Sequence, residues 1–410
     1  MTALARREAS GGAGRSWWNL YGFPVVLVAA SILTVVAVVR GRPGSSTTDF
    51  ISFYQSGRQY LAGADPYEPF DPNRGPNLNP PWVVAIMAQL CRAPLPLAVV
   101  MWWASSFACF FVAVILIARA VAPRQAVAIA SLVLVTQAAY ANLRLGQVAW
   151  QVMLLVTAAW LADRSRRAVL CGICVGLAAA WKPFLLVFAP YLVWRRDWRA
   201  LSAMTTTMGL TILVGLLAVG VSGYESWFGM LQLVGWAGHP LNASLRGLLT
   251  RALTHASLAE QMTMPIIDAP AWLDPVWIGS VVAVAAVAIR RVISHRSTDV
   301  AWATLTLTAL LVSPLGWIHY VPIATGPLVA VIAAGRPDAM SLAGAGVVLL
   351  CVPFTWLKAR PFGPALTVTV ASCYTWGVCL LFASIGRATR SAPRRASSNS
   401  SVPKAPSASV

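Results

Sequence analysis

Apolar residues in this chain come in long runs rather than in alternation with polar ones, and each run is closed by a short polar or proline-bearing break. The runs fall near 22–39, 97–118, 125–141, 147–162, 168–181, 184–194, 201–220, 272–290, 299–313, 320–334, 341–357 and 364–386. A helix crosses about 30 Å of hydrocarbon with roughly 20 apolar residues, so this pattern predicts an all-α, polytopic membrane helix bundle of about 11–12 transmembrane helices. The run "PWVVAIMAQL", 81–90, is too short to span and predicts a re-entrant or interfacial element. The stretch from 168 to 194 has the length of one long span, but Lys182-Pro183 in its middle predicts two short helices meeting at a break. Everything from 1 to 386 reads as one transmembrane domain, with a first outer loop at 40–96 and a large outer loop at 222–271. The Ser-, Pro- and Arg-rich 387–410 reads as a disordered cytoplasmic tail.

Composition sharpens this. A mean hydropathy of +0.68, with 58% hydrophobic and only 11% charged residues, excludes an ordinary water-soluble domain. The net charge of +18 would suggest nucleic acid in a soluble protein; here the basic residues sit in short clusters between apolar runs and mark one membrane face, so no nucleic-acid partner is expected. With both termini placed inside a plasma membrane, 20 of the 31 basic residues lie in inner loops, which carry +15 against +3 outside. That satisfies the positive-inside rule. Arg6, Arg7 and Arg15 precede the run Gly22 to Val39, which is longer than a signal-peptide core and reads as a retained first helix. The seven cysteines lie mostly within apolar runs and imply no disulfide framework; Cys171 and Cys174 form C-x-x-C but read as small packing residues.

With this topology the outer face collects the polar chemistry. It holds Asp49, Arg58, Asp65, Tyr67 and the "NLNPPW" turn; Arg144 and Gln147 of "NLRLGQ"; Lys182; Asn242 and Arg246 of "NASLRGLLTR"; and His319 and Tyr320 of "SPLGWIHY". Each has an ordinary structural reading as well. Arg144 and Lys182 suit snorkelling to headgroups, His319 suits an interfacial histidine, and Asp49 suits an N-cap for "FISFYQSGRQYL". Together, several basic groups and one acid at one face, with no line of acids or histidines across the spans, point to a site for an anionic head whose tail stays in lipid. No G-x-G-x-x-G and no D-x-D occurs, and the loops are too small for a nucleotide-binding domain, so neither a nucleotide-sugar donor nor a metal or other cofactor is expected.

These motifs carry a resemblance. "DFISFYQSGRQYLAGADPY" at 49–67, "NPPW" from Asn79, Gly146-Gln147, Lys182-Pro183, Asn242 to Gly247 and "SPLGWIHY" occur in the order seen in glycosyltransferase family 87, which the chain resembles over most of its length. One departure is Asn79, where a tyrosine commonly precedes the two prolines. The resemblance implies a GT-C type fold with an extracytoplasmic active-site cavity. It implies an inverting mannosyltransferase that takes its sugar from a polyprenyl phosphate and passes it to a glycolipid or cell-envelope glycan. In such enzymes an acid of the first outer loop, here Asp49, serves as general base. Arg58, Arg144, Lys182, Arg246 and His319 are candidates for stabilising the leaving phosphate, and Tyr67, Gln147, Asn242 and Tyr320 for lining the substrate site. An arabinofuranosyltransferase using polyprenyl phosphate arabinose stays open within the same family. The competing class is a secondary transporter or flippase, for which the break at Lys182-Pro183 is equally natural, although no repeated pair of interrupted helices is present. A purely structural scaffold would not need an acid, a lysine and a histidine on one face.

Overall fold

A computed structural model describes residues 48–68, 75–121, 125–255, 257–258, 261–262, 264–335, 337–358 and 362–389. The expected first helix at 22–39 and nearly all of the expected tail lie outside the described residues. The chain is an all-α membrane bundle. Its helices are α1 (Thr48–Leu61), α2 (Pro81–Leu90), α3 (Leu95–Val121), α4 (Ala126–Leu134), α5 (Gln137–Leu145), α6 (Ala149–Arg164), α7 (Ala168–Trp181), α8 (Phe188–Trp194) and α9 (Trp198–Gln232). They continue with α10 (Leu245–Leu253), α11 (Leu273–His295), α12 (Thr298–Val312), α13 (Thr325–Ala333), α14 (Pro337–Leu350), α15 (Phe354–Lys358), α16 (Pro364–Thr369) and α17 (Cys373–Thr389). Tight 3₁₀ turns at Pro183–Val187 and Ile318–Ala324 join α7 to α8 and lead into α13. A two-residue antiparallel ladder pairs Ser257 with Met262.

Lipid exposure follows from which faces are covered. In α3 the buried positions Ala98, Trp102, Ser106, Phe110, Val114 and Ile117 recur at helical spacing, while Leu97, Met101, Phe111 and Ile115 face outward. In α11 only Ala288 and Val292 are buried, and Leu217 on α9 is 78% exposed. A water-soluble protein does not present so many large apolar side chains; lipid accepts them. Among the described residues, three stretches are by themselves long and apolar enough to cross: Leu95–Val121, Trp198–Gln232 and Pro270–His295. The remaining apolar runs are shorter helices joined at breaks.

Three expectations change. The run 125–141, read as one span, is instead α4 and α5, bent by 68°. Thr136 enters the extended region there, and its hydroxyl donates to Val133 O at 2.7 Å, which ends α4. The span at 201–220 ends as expected at a kink at Gly220, at φ 71°, but the chain beyond it is a second helical piece that reaches Gln232 and folds back so that Tyr224 OH donates to Ile212 O at 3.1 Å; part of the expected outer loop 222–271 is therefore helical. The last two runs are each interrupted, at 351–353 and at 370–372. The short run 81–90 is a ten-residue helix, packed between α1 and α9.

α7 and α9 approach closely through glycines four residues apart. A Cβ on Gly172 would stand 2.1 Å from Ala200 O, and one on Gly176 2.8 Å from Met204 O, the small-xxx-small contact of membrane helices. Gly172→Ala forces these backbones apart and should cost about 1–3 kcal/mol, read as a lowered unfolding midpoint of the purified protein in detergent.

The buried indoles Trp150, Trp160 and Trp302 fill the centre, with Phe110 4.7 Å from Trp150 and Phe188 4.2 Å from Trp302. At one end of the bundle Asp163, 6% exposed, accepts from Trp302 Nε1 at 2.8 Å, Tyr191 OH at 2.9 Å and Arg195 Nη1 at 3.0 Å. It ties the ends of α6, α8 and α12 together. At about 1.5 Å per residue, the 16-residue α6 separates this knot from Gln147 by about 24 Å. The opposite ends of α6, α7 and α12 carry the other polar cluster.

Candidate active site

Asp49 does not take the N-cap position suggested by its sequence. α1 begins at Thr48, and the carboxylate is engaged by side chains: Thr48 Oγ1 donates to Oδ1 at 3.2 Å and Gln147 Nε2 donates to Oδ2. Gln147 reaches Asp49 because the turn before it is fixed from several sides. Gly146 adopts φ 70°, ψ 39° and closes α5, and a Cβ there would lie 2.5 Å from Phe50 Cβ, so only glycine fits. Trp102 Nε1 donates to Gly146 O at 2.9 Å, Gln147 N to Asn142 O at 2.9 Å, and Ala149 N to the Asn142 side chain at 3.1 Å.

From Gln147 the network passes to the second 3₁₀ turn, where Tyr320 OH donates to Gln147 Oε1 at 3.4 Å. Lys182 Nζ lies 5.5 Å from the centre of the Tyr320 ring and donates to Asn79 Oδ1 at 3.2 Å. Lys182 is placed by the break predicted from Lys182-Pro183: α7 ends at Trp181, and Pro183 starts the first 3₁₀ turn. Among the described residues it makes no ion pair within 4 Å, so a cation stands beside a neutral amide and an aromatic face. His319 is 2% exposed, 4.5 Å from Tyr320 and stacked on Trp317 at 6.1 Å. Neither of its ring nitrogens has a hydrogen-bond partner among the described residues. A buried imidazole with both nitrogens unmatched is unusual in a merely structural role and suits a ligand.

Asp49 and Lys182 are each half-buried, and both lie outside the spanning segments. Burial holds the Asp49 carboxyl above the usual carboxylate range, opposed by the bonds from Gln147 and Thr48 and by the Lys182 charge. Burial lowers the Lys182 ammonium to about 8, opposed by the Asp49 carboxylate. A weakened acid and a weakened base in one polar cluster are a pattern of functional sites.

Other candidates from the sequence lie elsewhere in the network or apart from it. Tyr67, 2% exposed, donates its hydroxyl to Asn79 O at 2.9 Å and so supports the residue that holds Lys182. Asn242 is fully buried and its side chain is occupied by backbone: Nδ2 donates to Ala237 O and Pro314 O, and Oδ1 accepts from Ser244 N and Gly316 N. It clasps the segment leading to His319. Arg246 pairs with Asp274 at 2.8 Å and stacks 4.5 Å from the Trp277 ring centre. Arg58 is exposed in the last turn of α1, and Arg144 is half-buried in the last turn of α5.

Two residues carry more than their sequence context suggests. Asn79, which the sequence marks only as a departure from the family's usual tyrosine, accepts from both Lys182 and Trp181 Nε1 (3.3 Å). Arg251 is fully buried and among the described residues has no carboxylate partner; its guanidinium donates to Ser372 Oγ, Thr375 Oγ1, His239 O and Asn242 O. It fastens α10 and the Asn242 loop to α17. A polar residue directly before Pro-Pro was a usable signal for Asn79; nothing in "NASLRGLLTR" distinguishes Arg251 from a solvated basic residue.

A family model described as glycosyltransferase family 87 matches residues 77–314. The match includes Asn79, Gln147 and Lys182 and stops short of Asp49 on one side and His319 on the other. No curated protein matches the chain.

Proposed function

Because that match extends over more than half of its length, the chain belongs to glycosyltransferase family 87, and on that premise we propose an inverting transfer of mannose from polyprenyl phosphate mannose to a hydroxyl of a lipid-linked or cell-envelope glycan. One observation carries the reading: Asp49, held by Gln147, shares a continuous hydrogen-bonded and aromatic network with Lys182, which among the described residues makes no ion pair within 4 Å, and with His319, whose ring nitrogens have no hydrogen-bond partner among those residues.

The chemistry divides between these groups. The acceptor oxygen attacks C1 of the sugar and forms the new glycosidic bond as the bond from C1 to the phosphate oxygen breaks. Asp49 takes the acceptor's proton. The electron pair leaves on polyprenyl phosphate, which needs no protonation but does need its growing charge stabilised, the part assigned to Lys182 and His319. A single carboxylate is enough for this displacement. The elements around the cluster also suit a wet approach from the membrane: short α2 behind Pro80-Pro81, and two 3₁₀ turns, are the irregular backbone tolerated where it lines a water-filled space. The Arg-rich loops at the Asp163 end support, by the positive-inside rule, a reading in which that end is inside, the Asp49 cluster faces the exterior and both termini are cytoplasmic.

The test is transfer of labelled sugar by the purified full-length protein in proteoliposomes containing a glycolipid acceptor fraction. The reading expects incorporation from polyprenyl phosphate mannose and none from a nucleotide sugar. Incorporation from polyprenyl phosphate arabinose alone assigns the arabinofuranosyl reaction instead. Solute passage without any transfer contradicts the enzymatic reading.

A further inference from the structure

At the end of α6, α8 and α12 remote from Asp49, a cavity of about 640 Å³ opens around the Asp163 knot. Four arginines line it: Arg164, Arg166, Arg195 and Arg296. Two are neutralised, Arg195 by Asp163 at 3.0 Å and Arg164 by Asp299 at 3.4 Å. Arg166 and Arg296 have no carboxylate partner among the described residues. Both also stand in the left-handed region, at φ 57° and 47°, just past the ends of α6 and α11. Glycine or asparagine would take that conformation more easily, so the loops hold charged side chains where charge is the costlier choice. The first turn of the 15-residue α12, with Ser297 and Thr298 at the cavity wall, adds a partial positive charge. On the remaining side stand Val292 and Trp194, the latter 44% exposed.

The positive-inside rule accounts for arginines in these loops but not for their convergence on one hollow built on a fixed carboxylate. At about 30 Å³ for each water in the liquid, the hollow has room for roughly twenty waters, well beyond a bare phosphate. The uncompensated charge calls for an anion, and the indole and valine call for an apolar continuation at the lipid boundary.

We propose that this cavity binds the phosphate of an anionic glycerophospholipid, with Arg166 and Arg296 donating to its oxygens and Trp194 and Val292 lying along the glycerol and first acyl carbons. The site is independent of the sugar-transfer reading. It would brace the loops after α6, α8 and α11 around one headgroup.

The experiment is thermal unfolding of the delipidated full-length protein in detergent, titrated with phosphatidylglycerol, phosphatidylcholine or inorganic phosphate. Phosphatidylglycerol is expected to raise the midpoint of the wild type and equally of Asp49→Asn. Arg166→Gln/Arg296→Gln, two exposed positions whose change leaves the core intact, should need about 10- to 100-fold more lipid for the same shift. Equal stabilisation by phosphatidylcholine marks a general lipid effect and overturns the proposal. Equal stabilisation by inorganic phosphate marks a soluble-anion site and overturns the lipid assignment. No response in the wild type, or an unchanged one in the double variant, also overturns it.

Discussion

Asp49→Asn is expected to lower kcat for sugar transfer by about 10²- to 10⁴-fold, the usual contribution of a general base, while KM stays within a few-fold. The amide keeps the size of the carboxylate and an oxygen to accept from Gln147 Nε2, so the turn at Gly146 and the seat of Tyr320 have no reason to move. Stability should not suffer. Burial raises the folded-state pKa of Asp49 above its unfolded value, so the ionised carboxylate disfavours folding at neutral pH, and the neutral amide removes that penalty. The measurement is single-turnover and steady-state transfer beside a thermal midpoint. A functional group that destabilises its own fold combines lost activity with an unchanged or raised midpoint, whereas a structural carboxylate would lower both.

Lys182→Met should cost about 10²–10³-fold in kcat, the range found when one fixed stabiliser of developing charge is removed. The argument is the company Lys182 keeps. Its ammonium rests on the Asn79 amide oxygen and the Tyr320 face, neither of which neutralises it, and among the described residues the Asp49 carboxylate acts on it only from beyond ion-pair distance, so an arriving phosphate meets a charge not locked in a contact pair. Burial lowers its pKa to about 8. The cation is therefore present below that value and lost as pH rises through it, and kcat/KM of the wild type should fall on the alkaline side of about 8. The variant should lack this descent. Methionine is also a good fit to the half-buried stem, so the protein should remain folded.

Much of this arrangement was legible before coordinates. The end of α7 at Trp181 follows from Pro183, which lacks an N–H, and the polar residues at the ends of apolar runs did gather at one end of the bundle, with Asp49, Gln147, Lys182, His319 and Tyr320 in one network. What could not be read is long-range and depends on side-chain occupancy. Asn242 and Lys182 look alike as polar residues at the edge of an apolar run, yet the first is consumed by carbonyls and amides up to 74 residues away and the second is not. Arg246 and Arg251 are five positions apart; one meets an exposed carboxylate, while the other is sealed against α17. The bend between α4 and α5 falls at Thr136-Gln137, where the Thr136 hydroxyl takes the Val133 carbonyl and the Gln137 amide oxygen accepts from Phe354 N, contacts that periodicity does not register.

The central claim is that the Asp49 carboxylate accepts the acceptor's proton, and the pH dependence of kcat/KM tests it most directly. The wild type should gain activity as pH rises through an acid limb lying above the usual carboxylate range, and the residual activity of Asp49→Asn should lack that limb. An acid limb that survives unchanged in the Asp49→Asn protein would place the base on another residue and contradict the account.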